Sequence, residues 1–197
     1  TAFTTIKNVM AGSPATQLPS AIMAEDGAIP SSARKLRFTT NHDESAWDKT
    51  PIQMFGGQNA SLAAFVAVTC MTGNTLIYGS QETGRTPLLP FFTKDQINWS
   101  ENPATYSAYR NYLRFRDTSK VMKYGTFTSS STADIVCVKK NHQGLEISVL
   151  VNVRNREVSF NLPTNLRNKQ ATNLLTGTPV ALSETITLPA YQYLILQ

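Results

Sequence analysis

Four consecutive polar residues, Asn41-His42-Asp43-Glu44, with Trp47 and Asp48 just beyond, hold the densest chemistry in this chain. An adjacent His-Asp pair serves as a metal-ligating unit in phosphohydrolases, which add further histidines. The only other histidine, His142, falls in a turn between β-prone segments, so the remaining ligands are missing. Cys70 and Cys137 lie in apolar surroundings without ligand spacing and read as small buried hydrophobes. A Ser-His-Asp triad needs a nucleophile elbow of the G-x-S-x-G type; Gly79-Ser80 lacks the flanking residues. Sugar recognition fits the cluster best: Asn41, His42 and Asp43 supply donors and acceptors for vicinal hydroxyls, and Trp47 supplies a face for a sugar ring. The competing structural reading is a polar strand end that caps the next segment.

Such a cluster needs elements to aim it. Leu36 to Thr40 is a short β-prone run that delivers the polar residues at its C-terminal end, the arrangement by which α/β barrels build active sites. Asn59 to Thr72 is apolar nearly all round and predicts a buried helix closed by Gly73, with Asn59 as its N-cap. Thr75 to Tyr78 is a second strand, followed by the polar turn from Gly79 to Gly84. Strand, helix and strand form a βαβ unit, whose right-handed crossover sets both polar ends on one sheet edge. Before it, Phe3, Ile6, Val9 and Met10 mark a short helix and Gln17 to Met23 a weak amphipathic one. After it, Met54 to Gly57 reads as loop, Arg85 to Pro103 as a loop rich in Pro and aromatics, and Ala104 to Lys120 as helix.

From Thr126 the period changes to two, most clearly in Leu145, Ile147, Val149, Val151 and Val153. Further strands are predicted at 134–140, 157–162, 170–175, 184–188 and 191–196, with turns at 141–144, 155–156, 163–168 and 176–179. Short strands at this spacing predict an antiparallel sandwich. The expected organisation is therefore α/β over 1–124 and all-β over 125–197. Two parallel strands make no stable sheet by themselves. A chain with only two is expected either to pair with missing chain or to be a piece of a larger barrel.

Composition limits the function classes. With 41% hydrophobic and 16% charged residues the sequence is globular. The net charge of +5 comes wholly from residues 101–197, with eleven basic and six acidic side chains. Those cations are scattered and not interleaved with aromatics, which argues against nucleic acid. No apolar run reaches the roughly 18 residues of a membrane span.

KLRFTTNHDE, residues 35–44, resembles the seventh-strand motif F-x-x-N-H-D of the α-amylase family of retaining glycoside hydrolases. LIYGSQETG (76–84) resembles that family's eighth-strand segment, PFFTKDQINW (90–99) its loop ending in D-x-I-x-W, and 109–121 its last barrel helix. The closing strand from Leu188 to Leu196 is similar to the end of the C-terminal domain that follows the barrel, and 11–30 fits the helix and loop before the seventh strand. The segments are colinear and cover essentially the whole chain. Ser80 departs from the pattern, standing where the family usually has Gly, as does Thr75, where Pro is frequent.

The resemblance implies the last two βα units of a (β/α)8 barrel followed by a β-sandwich. It implies an enzyme that cleaves α-glucosidic bonds in starch-like glucans with retention. Asp43 maps to the family's third carboxylate, which stabilises the transition state, and His42 to a contact with the same sugar. Asn41 and Trp47 are expected to line the substrate, and Gln81 and Glu82 to shore up the barrel mouth. The nucleophile and the acid/base belong to strands preceding this sequence, so the chain alone is expected to be inactive and to need the N-terminal barrel segment. Calcium, frequent in the family, would bind outside this chain. A polysaccharide substrate implies a secreted, periplasmic or cell-surface location. The alternative is a non-catalytic, amylase-like protein kept for glycan binding or assembly; a glycan site on the sandwich alone is a third reading.

Overall fold

A computed structural model describes all residues, 1–197. The first half is helical around one parallel strand pair. Helix α1 (Ala2–Met10) starts where the Thr1 hydroxyl accepts from the Thr4 N–H, and it buries Ala2, Ile6 and Val9 at helical spacing. Helix α2 (Gln17–Gly27) packs beside it through Leu18 and Ile22. Strand β1 (Leu36–Arg37) is followed by short helices α3 (His42–Trp47) and α4 (Pro51–Phe55) and by the buried helix α5 (Gln58–Thr69). Strand β2 (Asn74–Thr75) lies parallel to β1 and leads into a 3-10 turn at Gln81–Thr83. Helices α6 (Pro103–Thr118) and α7 (Lys120–Tyr124) close this half.

Eight strands follow: β3 (Thr126–Ser129), β4 (Ile135–His142), β5 (Leu145–Asn152), β6 (Val158–Asn161), β7 (Lys169–Asn173), β8 (Thr178–Leu182), β9 (Thr185–Leu188) and β10 (Tyr193–Leu196). Six form one sheet in the order β3-β4-β5-β10-β7-β8, while β6 and β9 pair separately. All pairs in this half are antiparallel.

The six-stranded sheet is covered on both faces. Val136, Val138, Val149, Val151 and Ile195 join the helices α1, α2, α5 and α6 in one apolar core. Ile135, Cys137, Leu150, Leu194 and Leu196 point the other way and pack with Val158, Phe160 and Leu188 of the β6–β9 ribbon. Burial on both faces explains the unbroken apolar runs Ile135–Val138 in β4 and Val149–Val151 in β5.

Two cationic side chains fasten the halves together. Arg154, just after β5, donates to the carbonyls of Val9 and Ser13 near the end of α1 and, at 2.7 Å, to Asp134. Lys140 on β4 is fully buried and donates to the carbonyls of Met71 and Met122. At the junction, a Cβ on Gly125 would run into the carbonyl oxygens of Val121 and Asn141. Only glycine fits where the chain changes from helix to sheet.

Several expectations need correction. The strand expected over 36–40 pairs only through Leu36 and Arg37, because β2 offers just two partners; residues 38–40 continue extended. Of the loop expected from Met54 to Gly57, Met54 and Phe55 end helix α4, which starts on a capping box between Thr50 and Gln53. The long buried helix begins at Gln58 behind Gly57, so Asn59 lies inside it and is not its cap, and it ends at Thr69. The helix expected to run to Lys120 breaks at Ser119, whose hydroxyl caps α7. The expected turn at 176–179 is partly strand, since β8 starts at Thr178. No closed barrel is present: the parallel sheet has two strands, open on both edges.

Candidate functional site

The expected site residues gather where the chain leaves β1 and β2. Asn41 sits in extended conformation and caps α3: its Oδ1 accepts from the N–H groups of Asp43 and Glu44 at 2.9 and 3.1 Å. Asn-His-Asp-Glu is thus a helix start, with an N-cap and two acids in the first turn. Capping occupies Oδ1.

The cap divides the cluster in two. Glu44 and Asp48 turn toward Lys7 of α1, at 3.9 and 2.9 Å. His42 and Asp43 turn to solvent, with side chains 60% and 66% exposed, and approach each other at 3.5 Å between Nε2 and Oδ1. Of these four side chains, those two make no ion pair with Lys7.

Beneath them the two strand ends are tied together. Gln81 is buried, and its Nε2 donates to the Thr39 hydroxyl at 2.8 Å and to the Tyr109 hydroxyl at 3.1 Å. Burial pushes the Tyr109 phenol up to about 12, so it stays a neutral hydrogen-bonding group. The Thr40 and Ser45 hydroxyls bond at 2.7 Å, fixing α3 to the segment it follows. Ser80 precedes this turn at φ 74°, a left-handed conformation that glycine adopts without strain. The Gln81 Oε1, the Glu82 Oε2 and the Thr75 hydroxyl are buried without partners.

Trp47 belongs to an aromatic group. It stacks on Phe91 at 5.9 Å and meets Phe92 edge-on at 6.1 Å, while His42 lies 6.2 Å from Phe91 and 6.4 Å from Tyr78. Trp47 is 66% and Phe92 82% exposed, a surface suited to ring stacking. The loop carrying Phe91 and Phe92 is held to α3 and α4 by Leu89 N–H to the Ser45 carbonyl, 2.9 Å, and Thr50 hydroxyl to the Thr86 carbonyl, 3.0 Å. An Arg85–Asp95 ion pair closes its base. Tyr78, Phe91 and Phe92 were not among the expected site residues. The signal for the latter pair was the Pro-Phe-Phe run of a loop rich in Pro and aromatics. His142 stands apart, at the end of β4 beside Tyr124.

No group of three His, Cys, Asp or Glu side chains is placed to hold a metal ion. No helix is long and apolar enough to cross a membrane.

No protein-family profile and no curated protein sequence matches the chain. Solved structures do. An α-amylase from Lactobacillus plantarum superposes with a TM-score of 0.80 at 16% identity, over 98% of this chain and 45% of its own. The maltogenic α-amylase AmyB from Thermotoga neapolitana also gives 0.80 at 16% identity, over 99% and 48%. AmyP, solved in complex with maltotriose, gives 0.74 at 13% identity, over 97% and 48%. The chain spans less than half the length of each of these. Helices around a parallel strand pair, followed by a two-faced antiparallel sheet, are thus the fold of a C-terminal portion of α-amylase-family enzymes.

Proposed function

We propose that this chain is part of an α-amylase-type glycoside hydrolase that cleaves α-glucosidic bonds in starch-like glucans with retention. The observation that carries the reading is the free His42–Asp43 pair at the end of β1, beside exposed aromatic rings, in a fold shared with α-amylases. In this reading residues 1–124 are the last part of a (β/α)8 barrel and 125–197 a C-terminal sandwich.

Retaining hydrolysis uses two carboxylates, a nucleophile and an acid/base, flanking an oxocarbenium-like transition state. Those two come from the remainder of the protein, and Asp43 acts as a third. Its carboxylate accepts hydrogen bonds from the hydroxyls of the reacting sugar and holds the flattened ring. His42 contacts the same sugar, and the bonds its hydroxyls donate to Asp43 strengthen as positive charge develops, so binding favours the transition state over the ground state. Asn41 Nδ2 adds a donor, and Trp47 stacks on a neighbouring ring. Gln81 and Glu82 position this edge without touching substrate. Calcium, where the whole protein carries it, would be held largely by residues outside this chain, in which no His, Cys, Asp or Glu side chains are grouped in threes.

The test is hydrolysis of soluble starch by the full-length protein and by Asp43→Asn. The substitution should lower kcat on the order of a hundred- to a thousandfold, the scale of losing one transition-state electrostatic contact. Wild-type rates in the variant would overturn the assignment. The 197-residue chain alone should release no sugar, and turnover by it would refute the role given to the remainder of the protein.

A further inference from the structure

The geometry points to a second carbohydrate site, for a neutral α-glucan chain, in the seam between helices α5 and α6 and the turn that leads into β10. A cavity of about 430 Å³ lies there, lined by Gln58, Asn59, Tyr191, Gln192 and Tyr193 among others. A second cavity of about 280 Å³ adjoins it, sharing Gln58, Asn59 and Tyr191 and adding Asn155.

The lining is chemically selective. Neither cavity has a single charged residue, although the chain carries 18 basic and 13 acidic side chains. Leu62, Ala104, Ala108 and Ala190 form the apolar part of the first cavity. Beside them stand the phenol rings of Tyr191 and Tyr193 and the carboxamides of Asn59, Gln192 and, in the adjoining cavity, Asn155. Gln58 lines both, its Oε1 already accepting from the Thr105 hydroxyl. Carboxamides offer a donor and an acceptor side by side, matching vicinal hydroxyls, and aromatic faces cover the apolar side of a pyranose. A charged ligand would find no counter-ion among these residues, and a wholly apolar one would leave the amides of Asn59, Gln192 and Asn155 unmatched.

Tyr191 supplies the second, independent observation. Gln192 N–H donates to the Pro189 carbonyl at 3.1 Å, closing a turn whose third residue is Tyr191 at φ 58°. That position ordinarily takes glycine. A tyrosine held there accepts local strain to place its ring at the junction of the two cavities, the pattern expected where a side chain is needed for binding. The seam lies on the flank of the molecule formed by α5 and α6, and its lining shares no residue with the His42–Trp47 cluster. It can therefore hold one stretch of a long glucan while the strand-end site works on another.

The choice of α-glucan rests on the function proposed above; the neutral polyhydroxyl chemistry does not. The experiment is affinity electrophoresis of the full-length protein in gels containing soluble amylose, alongside hydrolysis of a short chromogenic maltooligosaccharide. Tyr191→Gly removes the ring and suits the backbone, and Gln192→Ala alters an exposed side chain, so both should fold. Tyr191→Gly should weaken amylose binding about tenfold and Gln192→Ala by less, with turnover of the short substrate unchanged. Two variants that bind amylose like the parent would overturn the site, as would loss in Tyr191→Gly confined to preparations that have unfolded. Should the short substrate not be cleaved at all, the hydrolase reading falls. Retention on amylose, dextran or xylan that both variants weaken would then still support the seam, and no retention on any of them would overturn it.

Discussion

Gln81 donates its side-chain amide to the Thr39 hydroxyl at 2.8 Å, so the segment leaving β2 holds the segment leaving β1 two residues before Asn41. The bond is buried and shares its donor with Tyr109. Gln81→Met should cost about 1–3 kcal/mol, since two buried hydroxyls lose a partner. Because the displaced segment carries His42 and Asp43, kcat should fall more than KM rises. Urea unfolding and steady-state kinetics on the full-length protein check the two effects separately.

Ser80 is strained where the resembling family has glycine. Its φ of 74° is a conformation that costs an L-residue about 1–2 kcal/mol, partly offset for glycine by greater chain entropy. Ser80→Gly should raise stability by about 0.5–1 kcal/mol, while Ser80→Val should lower it. Shifts in the urea midpoint at constant slope report both.

Lys140 makes stability depend on alkaline pH. Burial pulls its ammonium down to about 8 from an ordinary 10.5. Between those values the unfolded chain holds a proton that the folded chain has released, so stability rises with pH across that window and the full penalty applies below it. Cys70 and Cys137, whose thiols burial pushes up to about 12, work in the opposite direction above pH 9. The comparison is therefore between wild type and Lys140→Met. The wild type should gain on the variant between pH 8 and 10.5, by on the order of 2–3 kcal/mol, in parallel unfolding titrations.

Arg154 and Asp134 govern the acid side. The Arg154 hydrogen bond, ahead of the charges of Arg156 and Arg154, holds the Asp134 carboxyl below its usual range. The stabilisation is complete above the ordinary carboxylate range and lost as pH falls through the lowered value. Arg154→Ala also releases the carbonyls of Val9 and Ser13. It should cost about 3 kcal/mol at pH 7 and flatten the acid limb of the stability profile, both read from chemical unfolding at a series of pH values.

The features hidden from sequence reading share a cause: local signals that a neighbouring element redirected. β4 and β5 were legible because their β-branched runs are long and lie between clear turns. β8 was not, because Pro179 reads as a turn residue. On an edge strand, with no partner on its far side, proline costs the sheet nothing. Of the two readings of Asn41-His42-Asp43-Glu44, the polar strand end that caps the next segment is present in the structure, where Asn41 caps α3. The Thr50–Gln53 capping box was present in the sequence and masked by the glycines after it. Nothing in the sequence alone could bring Phe91 against Trp47; that contact depends on the Ser45–Leu89 bond across the loop.

The strand order carries a consequence for biosynthesis. β10 lies in the middle of the six-stranded sheet, between β5 and β7. A ribosome therefore releases the β4–β5 and β7–β8 hairpins before the strand that joins them exists. Until residue 196 has emerged, the apolar β5 and the polar β7 present bare hydrogen-bonding edges in a crowded cell, where a strand from another nascent chain can occupy the same gap. Yield in a host should thus respond to chaperones that shield strand edges late in synthesis.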